Sequence, residues 1–222
     1  MNTVNQVGIY NMALAAVGVS RFIQSTADTS VQAQTCNVFW ESVRDQCLSD
    51  YPWVFAARFA HLQRIEKCTP GWRHTYAYPA DCLAARELVR RDHTDSDDLI
   101  GLGFVGTFTA SHRRMMEMCG PIAFATVENE AGGGLAIATN EHHATLSYTA
   151  RVTTYTLWSP AFVNCLTLLL ASKIVGPLAN NPKYATELGR AYEVALLKAG
   201  ASSMNEQQER PEPESELVTV RG

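Results

Sequence analysis

The sequence predicts an α+β fold: a four-helix bundle formed by the N- and C-terminal helices, with an inserted antiparallel β-rich region and an extended C-terminal tail. Three observations predict it. Helical apolar periodicity, with its start and stop signals, occupies both ends of the chain. Strict two-residue alternation and glycine-rich turns occupy the middle. The last twenty residues are polar, acidic and proline-containing, and carry little that could form a core. The expected boundaries are 1–68 for the N-terminal helices, 69–157 for the β-rich insertion, 158–201 for the C-terminal helices and 202–222 for the tail.

The first helix is expected from Thr3 to Val17. Thr3 and Gln6 have capping-box spacing, and Val4, Val7, Tyr10, Leu14 and Val17 fall on one face. Gly18 supplies the left-handed residue that ends such helices. A second capping spacing, Thr29 to Gln32, opens a helix carrying Cys36, Phe39, Trp40, Val43 and Cys47, which Pro52 stops. Trp53 to Ile65 is dense in apolar residues, and its reading leans to helix.

The period changes near Pro70. Trp72, His74, Tyr76 and Tyr78 alternate onto one strand face, and Pro79-Ala-Asp81 makes a turn. His93 to Asp98 reads as an exposed loop. Three strands follow at Ile122–Val127, Leu135–Thr139 and Ala144–Val152, the last with a solvated face of Thr145, Ser147, Thr149 and Arg151. Ser159-Pro160 opens a helix that is apolar almost all round and is ended by Gly176-Pro177. Asn181-Pro182 opens the fourth helix, with Ala185, Leu188, Tyr192, Ala195 and Leu196 on one face and a stop at Gly200.

Composition narrows the function classes. Of 222 residues, 46% are hydrophobic and 18% charged. So low a charge content fits a subunit that hides surface against its neighbours. Net charge is −4, of which −3 lies in the last twenty residues, where Glu206, Glu209, Glu212, Glu214 and Glu216 face only Arg210 and Arg221. The rest is close to neutral and lacks the basic field needed to grip nucleic-acid phosphates. The six cysteines form no CxxC pair and read as buried, reduced thiols. Residues 1–20 lack a basic start before an apolar run, so no signal peptide is expected. Asn164, Lys173 and Pro177 interrupt the most apolar stretch, so no membrane span is expected.

No motif carries chemistry. His142-His143 stand in turn sequence, and adjacent strand residues would point apart. Asp95, Asp97 and Asp98 lack EF-hand spacing, and Gly132 to Gly134 lack phosphate-loop context. Trp40, Trp53 and Trp72 have no basic companions for base stacking and read as core or interface. Arg90-Arg91 and Arg113-Arg114 read as solvated faces. No metal, cofactor or catalytic residue is expected, and the chain reads as a non-enzyme. Two other classes compete. A tail-associated cell-wall hydrolase needs a positioned carboxylate pair, for which Glu41, Asp45, Glu128 and Glu130 are the candidates. A DNA-binding accessory factor would show salt-dependent binding to duplex.

Asn11-Met-Ala-Leu14, Gly18, Arg21-Phe-Ile-Gln-Ser25 and Asp28 begin a resemblance that runs through Ala33, Cys36-Asn37 and Val43-Arg44-Asp45. It is most specific at Tyr51-Pro52-Trp53 and at Tyr78-Pro79-Ala80-Asp81-Cys82-Leu83, and it returns at Ser159 to Phe162. In these stretches, over most of residues 5–200, the chain resembles the tail tubular protein A family of head-to-tail adaptors in short-tailed phages and prophages. It departs from that pattern at Gln24, at Thr26-Ala27 and in 93–120. The resemblance implies a virion protein of the tail or neck, assembled in the host cytoplasm as a homo-oligomeric ring, a dodecamer, beneath the portal protein. The bundle would form the wall, the β part would face the tail nozzle protein, and double-stranded DNA would pass through the lumen during ejection without being read. It further implies that the C-terminal segment Leu217, Val218, Thr219, Val220 and Arg221 docks on the portal.

Overall fold

A computed structural model describes residues 5–66, 69–89, 121–129 and 134–206, with the side chains of 202–206 left aside. The chain is mixed α+β. Helices α1 (Gln6–Val17) and α2 (Val31–Asp50) precede strands β1 (Ala57–His61), β2 (Arg64–Ile65), β3 (His74–Ala77), β4 (Cys82–Val89), β5 (Phe124–Asn129), β6 (Gly134–Thr139) and β7 (Thr145–Ala150). Helices α3 (Pro160–Ala179) and α4 (Pro182–Glu206) follow. The strands form two antiparallel sheets, ordered β1-β7-β4 and β2-β3-β6-β5.

Local chemistry sets the helix ends. Asn5 caps α1, its side-chain oxygen accepting from the Gly8 amide at 2.8 Å. The expected start at Thr3 lies outside the described residues. Ser30, one residue beyond Thr29, caps α2, and Asp28 fixes it by accepting from the Ser30 amide at 2.9 Å. Gly18 closes α1 at φ 83° with its amide on the Ala15 carbonyl, as its position predicts. Ser159 and Asn181 open α3 and α4 by accepting from the amides of Phe162 and Tyr184.

Two helix ends depart from the sequence reading. Gly176-Pro177 does not stop α3, which continues to Ala179 and closes on Asn180 at φ 47°. So close to the C-terminus the missing proline amide removes a single bond, and the helix absorbs it. Gly200 does not stop α4, which runs to Glu206. Gly200 instead lies where an added Cβ would sit 3.3 Å from the Tyr51 ring, so a packing contact explains that glycine better than a turn does.

The segment Trp53–Ile65 is not helical. A single 3-10 turn at Val54–Ala56 leads into β1 and β2, so the sheets begin at Ala57 rather than at residue 69. β1 finds its partner in β7, with Ala57 opposite Thr149 and His61 opposite Thr145. That pairing spans some ninety residues, and local periodicity cannot report it. β4 was not foreseen either. Its register shifts at Cys82/Ala84 and Ala85/Glu87 break the two-residue alternation by which strands are recognised.

β7 is the central strand of its sheet, and its Ser/Thr face is not solvated as expected: Ser147 and Thr149 are buried. The Leu146, Tyr148 and Ala150 face joins Tyr76, Leu88 and Ile137 in a core shared by the two sheets. The polar face turns toward the end of α2. A larger core fills the helical layer, where α3 packs against α1, α2 and α4. α3 is long and apolar enough to cross a membrane, but Phe162, Leu166, Leu170 and Ile174 on it are fully buried in that core.

Candidate functional site

The residues of the two most specific motifs, Tyr51 to Trp53 and Tyr78 to Cys82, fall on either side of the junction between α2 and the first sheet. They work by different physics.

Trp53 follows the end of α2, just past the proline that ends it. Its ring is buried, and its indole N–H donates 2.8 Å to the Cys47 carbonyl, one of the last carbonyls of α2 that the helix itself leaves without a donor. Tyr51, Phe55 and Phe162 surround the ring at centroid distances of 5.0, 6.0 and 5.1 Å, with Tyr51 and Phe162 edge-on. Tyr51 touches α4 at Gly200. Pro52 is exposed and fixes the direction in which the chain leaves the helix. This motif therefore ties α2 to α3 and α4.

Asp81 sits in the turn before β4, which the Cys82 amide closes by donating to the Pro79 carbonyl at 3.0 Å. One Asp81 carboxylate oxygen accepts from the Tyr148 hydroxyl at 3.0 Å, and the other from the Arg58 guanidinium at 2.9 Å. Its carbonyl accepts from the Arg151 amide at 2.7 Å. The turn thus joins β1, β7 and β4. Burial pushes the Tyr148 phenol up to about 12, and the bond to Asp81 adds to the shift. Burial also pushes Tyr78 up to about 12, helped by its bond to the Cys82 thiol.

Two arginines, Arg151 and Arg86, carry this network to α2. The Arg151 side chain donates 2.9 Å to Asp45, whose other oxygen takes the buried Arg44 at 2.8 Å. Arg86 of β4 donates to the Thr149 hydroxyl at 2.9 Å and to the Ser49 carbonyl at 2.8 Å. Asp45, a candidate acid for hydrolysis, is thus committed to two arginines. Glu41 lies one turn earlier on α2, and Glu128 lies in the other sheet. The arrangement fastens a helix to a sheet, and each charge in it is held by a protein partner.

Sequence reasoning missed Arg86; Arg151 is exposed, as its assignment to a solvated face expects, but its bond to Asp45 was not foreseen. The role of Arg86 follows only from the burial of Ser147 and Thr149, which strand alternation alone would have assigned to water.

His142 and His143 occupy the turn before β7, with ring centroids 4.4 Å apart, and His74 lies 5.2 Å from His142. Burial, with Arg64, His142 and Arg73 nearby, lowers the His74 pKa, and its Nδ1 has no hydrogen-bond partner. Among the described residues no group of three His, Cys, Asp or Glu is placed to hold a metal ion. Cys36, Cys47, Cys82 and Cys165 are free thiols. Leu217, Val218, Thr219, Val220 and Arg221 lie outside the described residues, as do Glu130, Asp95, Asp97, Asp98, Gly132, Gly133, Arg90-Arg91 and Arg113-Arg114. Compared with known proteins, the chain matches no family model and no curated protein.

Proposed function

We propose that this chain is a structural subunit of a phage neck, a head-to-tail adaptor that assembles with copies of itself beneath a portal and forms part of the conduit for DNA. One observation carries the reading: the two helices flanking α3 keep apolar side chains in water. Val31 and Val38 are 66% and 75% exposed on α2, and Val194 and Leu197 are 50% and 76% exposed on α4. Spaced seven and three residues apart, each pair forms a stripe along its helix, the pattern of a surface awaiting a partner helix. In this reading α1 to α4 form the four-helix wall, the two sheets face the tail nozzle, and residues 217–221 engage the portal. The polar junction of Asp81, Asp45 and the arginines then keeps wall and sheets in one orientation while DNA passes.

Co-sedimentation of the subunit with its purified portal complex tests the reading. Recovery of the subunit at several copies per portal ring supports it. Failure to bind portal, together with cell-wall degradation that Glu128→Gln abolishes, overturns it in favour of a hydrolase.

A further inference from the structure

We propose that copies of this chain meet head to tail, the outer stripe of α2 on one copy seating in the groove between α3 and α4 on the next. The inference rests on the adaptor reading and names the two surfaces that would build its ring.

The groove is lined by Leu168, Ala191, Val194 and Ala195, with Arg190 and Lys198 at its two ends. Eight residues of helix separate those cations, a span of about 12 Å. On α2, Val31 and Val38 are seven residues apart, about 10 Å, so the stripe and the groove match in length. Thr35 and Ser42 share the face of these valines. Their hydroxyls donate to the Val31 and Phe39 carbonyls of their own helix, at 2.7 and 2.9 Å. The stripe can therefore leave water without stranding a donor, and small side chains let it enter a groove as one helix ridge packs between two others.

Charge favours the same pairing. Glu41 flanks the valines one turn beyond Val38 and has no cation partner among the described residues. Arg190 and Lys198 likewise have no carboxylate partner there. Glu187 and Glu193 stand on the same helix, but the charged residues that line the groove itself are the cations Arg190 and Lys198. Stripe and groove are different surfaces: the stripe runs along α2, and the groove lies between α3 and α4. A contact made once between neighbouring copies leaves one stripe and one groove free at the two ends, so it repeats from copy to copy and gives a ring where its rotation closes.

Paired cysteines test this directly. Val38→Cys and Val194→Cys, placed in one full-length chain and oxidised in the portal-bound assembly, should give a ladder of covalent multimers. Neither single variant should do so. Both positions are solvent-exposed, and circular dichroism checks that the variants fold. As a second measurement, Glu41→Lys and Lys198→Glu should each lower the assembled fraction several-fold, and the two together should restore it. A portal-bound ring that yields no ladder and shows no rescue overturns the pairing and leaves the adaptor reading standing. Failure of the unaltered chain to assemble overturns both.

Discussion

The two motif regions lie on either side of one junction, yet Tyr51 to Trp53 holds by apolar enclosure and Tyr78 to Cys82 by hydrogen bonds and charge. The first stakes its stability on an aromatic cluster in which Trp53 and Phe162 are buried and Tyr51 and Phe55 half-buried. The second spreads a smaller stabilisation over many directional contacts that are partly wet. The difference teaches what each part fixes: the aromatic cluster makes the helical layer stable, and the polar network makes one helix–sheet orientation unique.

Trp53→Ala is the severest way to test this contrast. It opens a cavity among Tyr51, Phe55 and Phe162 and removes the donor to Cys47, so chemical denaturation should show a loss of about 3–5 kcal/mol. Asp81→Ala should cost less, about 1–3 kcal/mol, because it strands the Tyr148 hydroxyl while the exposed Arg58 turns to water. If Asp81→Ala proved the costlier of the two, the assignment of stability to the aromatic side would fail.

The pH dependence sharpens the contrast further. Burial pushes the Cys36 and Cys165 thiols up to about 11, both in the helical core. Their folded pKa values exceed the unfolded ones, so the protonated forms favour the folded state. That contribution is fully present below the ordinary thiol pKa of about 9 and is lost as pH rises toward 11. Denaturation midpoints measured between pH 8 and 11 should therefore fall steadily, and thiol reagents should react slowly with Cys36 and Cys165 of the native chain at pH 8. Gly18→Ala, which puts a Cβ at φ 83°, should cost about 1 kcal/mol. The smallest effect is expected of Arg151→Ala at its bond to Asp45. The arginine side chain is 47% exposed, and screening holds the loss to about 1 kcal/mol or less.

Where the physics was local, the sequence made it legible. Gly18 announced the end of α1, and Asn181-Pro182 announced the start of α4. Trp72 to Tyr78 and the segments after Ile122 showed their strands within two or three residues. Long-range pairing was not legible. β1 depends on β7 far along the chain, and β4 hides behind two register shifts. The polar face of β7 is buried because Arg86 and the end of α2 happen to cover it. Of the candidate site, the motif positions were readable, but their partners Arg58, Arg86, Arg151 and Tyr148 were not. Each of those contacts joins residues at least twenty-three apart in sequence, beyond the reach of any periodicity.

The central claim is that α2 and α4 keep apolar stripes in water because identical neighbours cover them. Electron micrographs of the chain mixed with its portal complex test this most directly. The account predicts end-on views of a closed ring of identical subunits stacked on the portal. Isolated subunits scattered on the portal with no contact between copies, or bare portals at any subunit concentration, would contradict it.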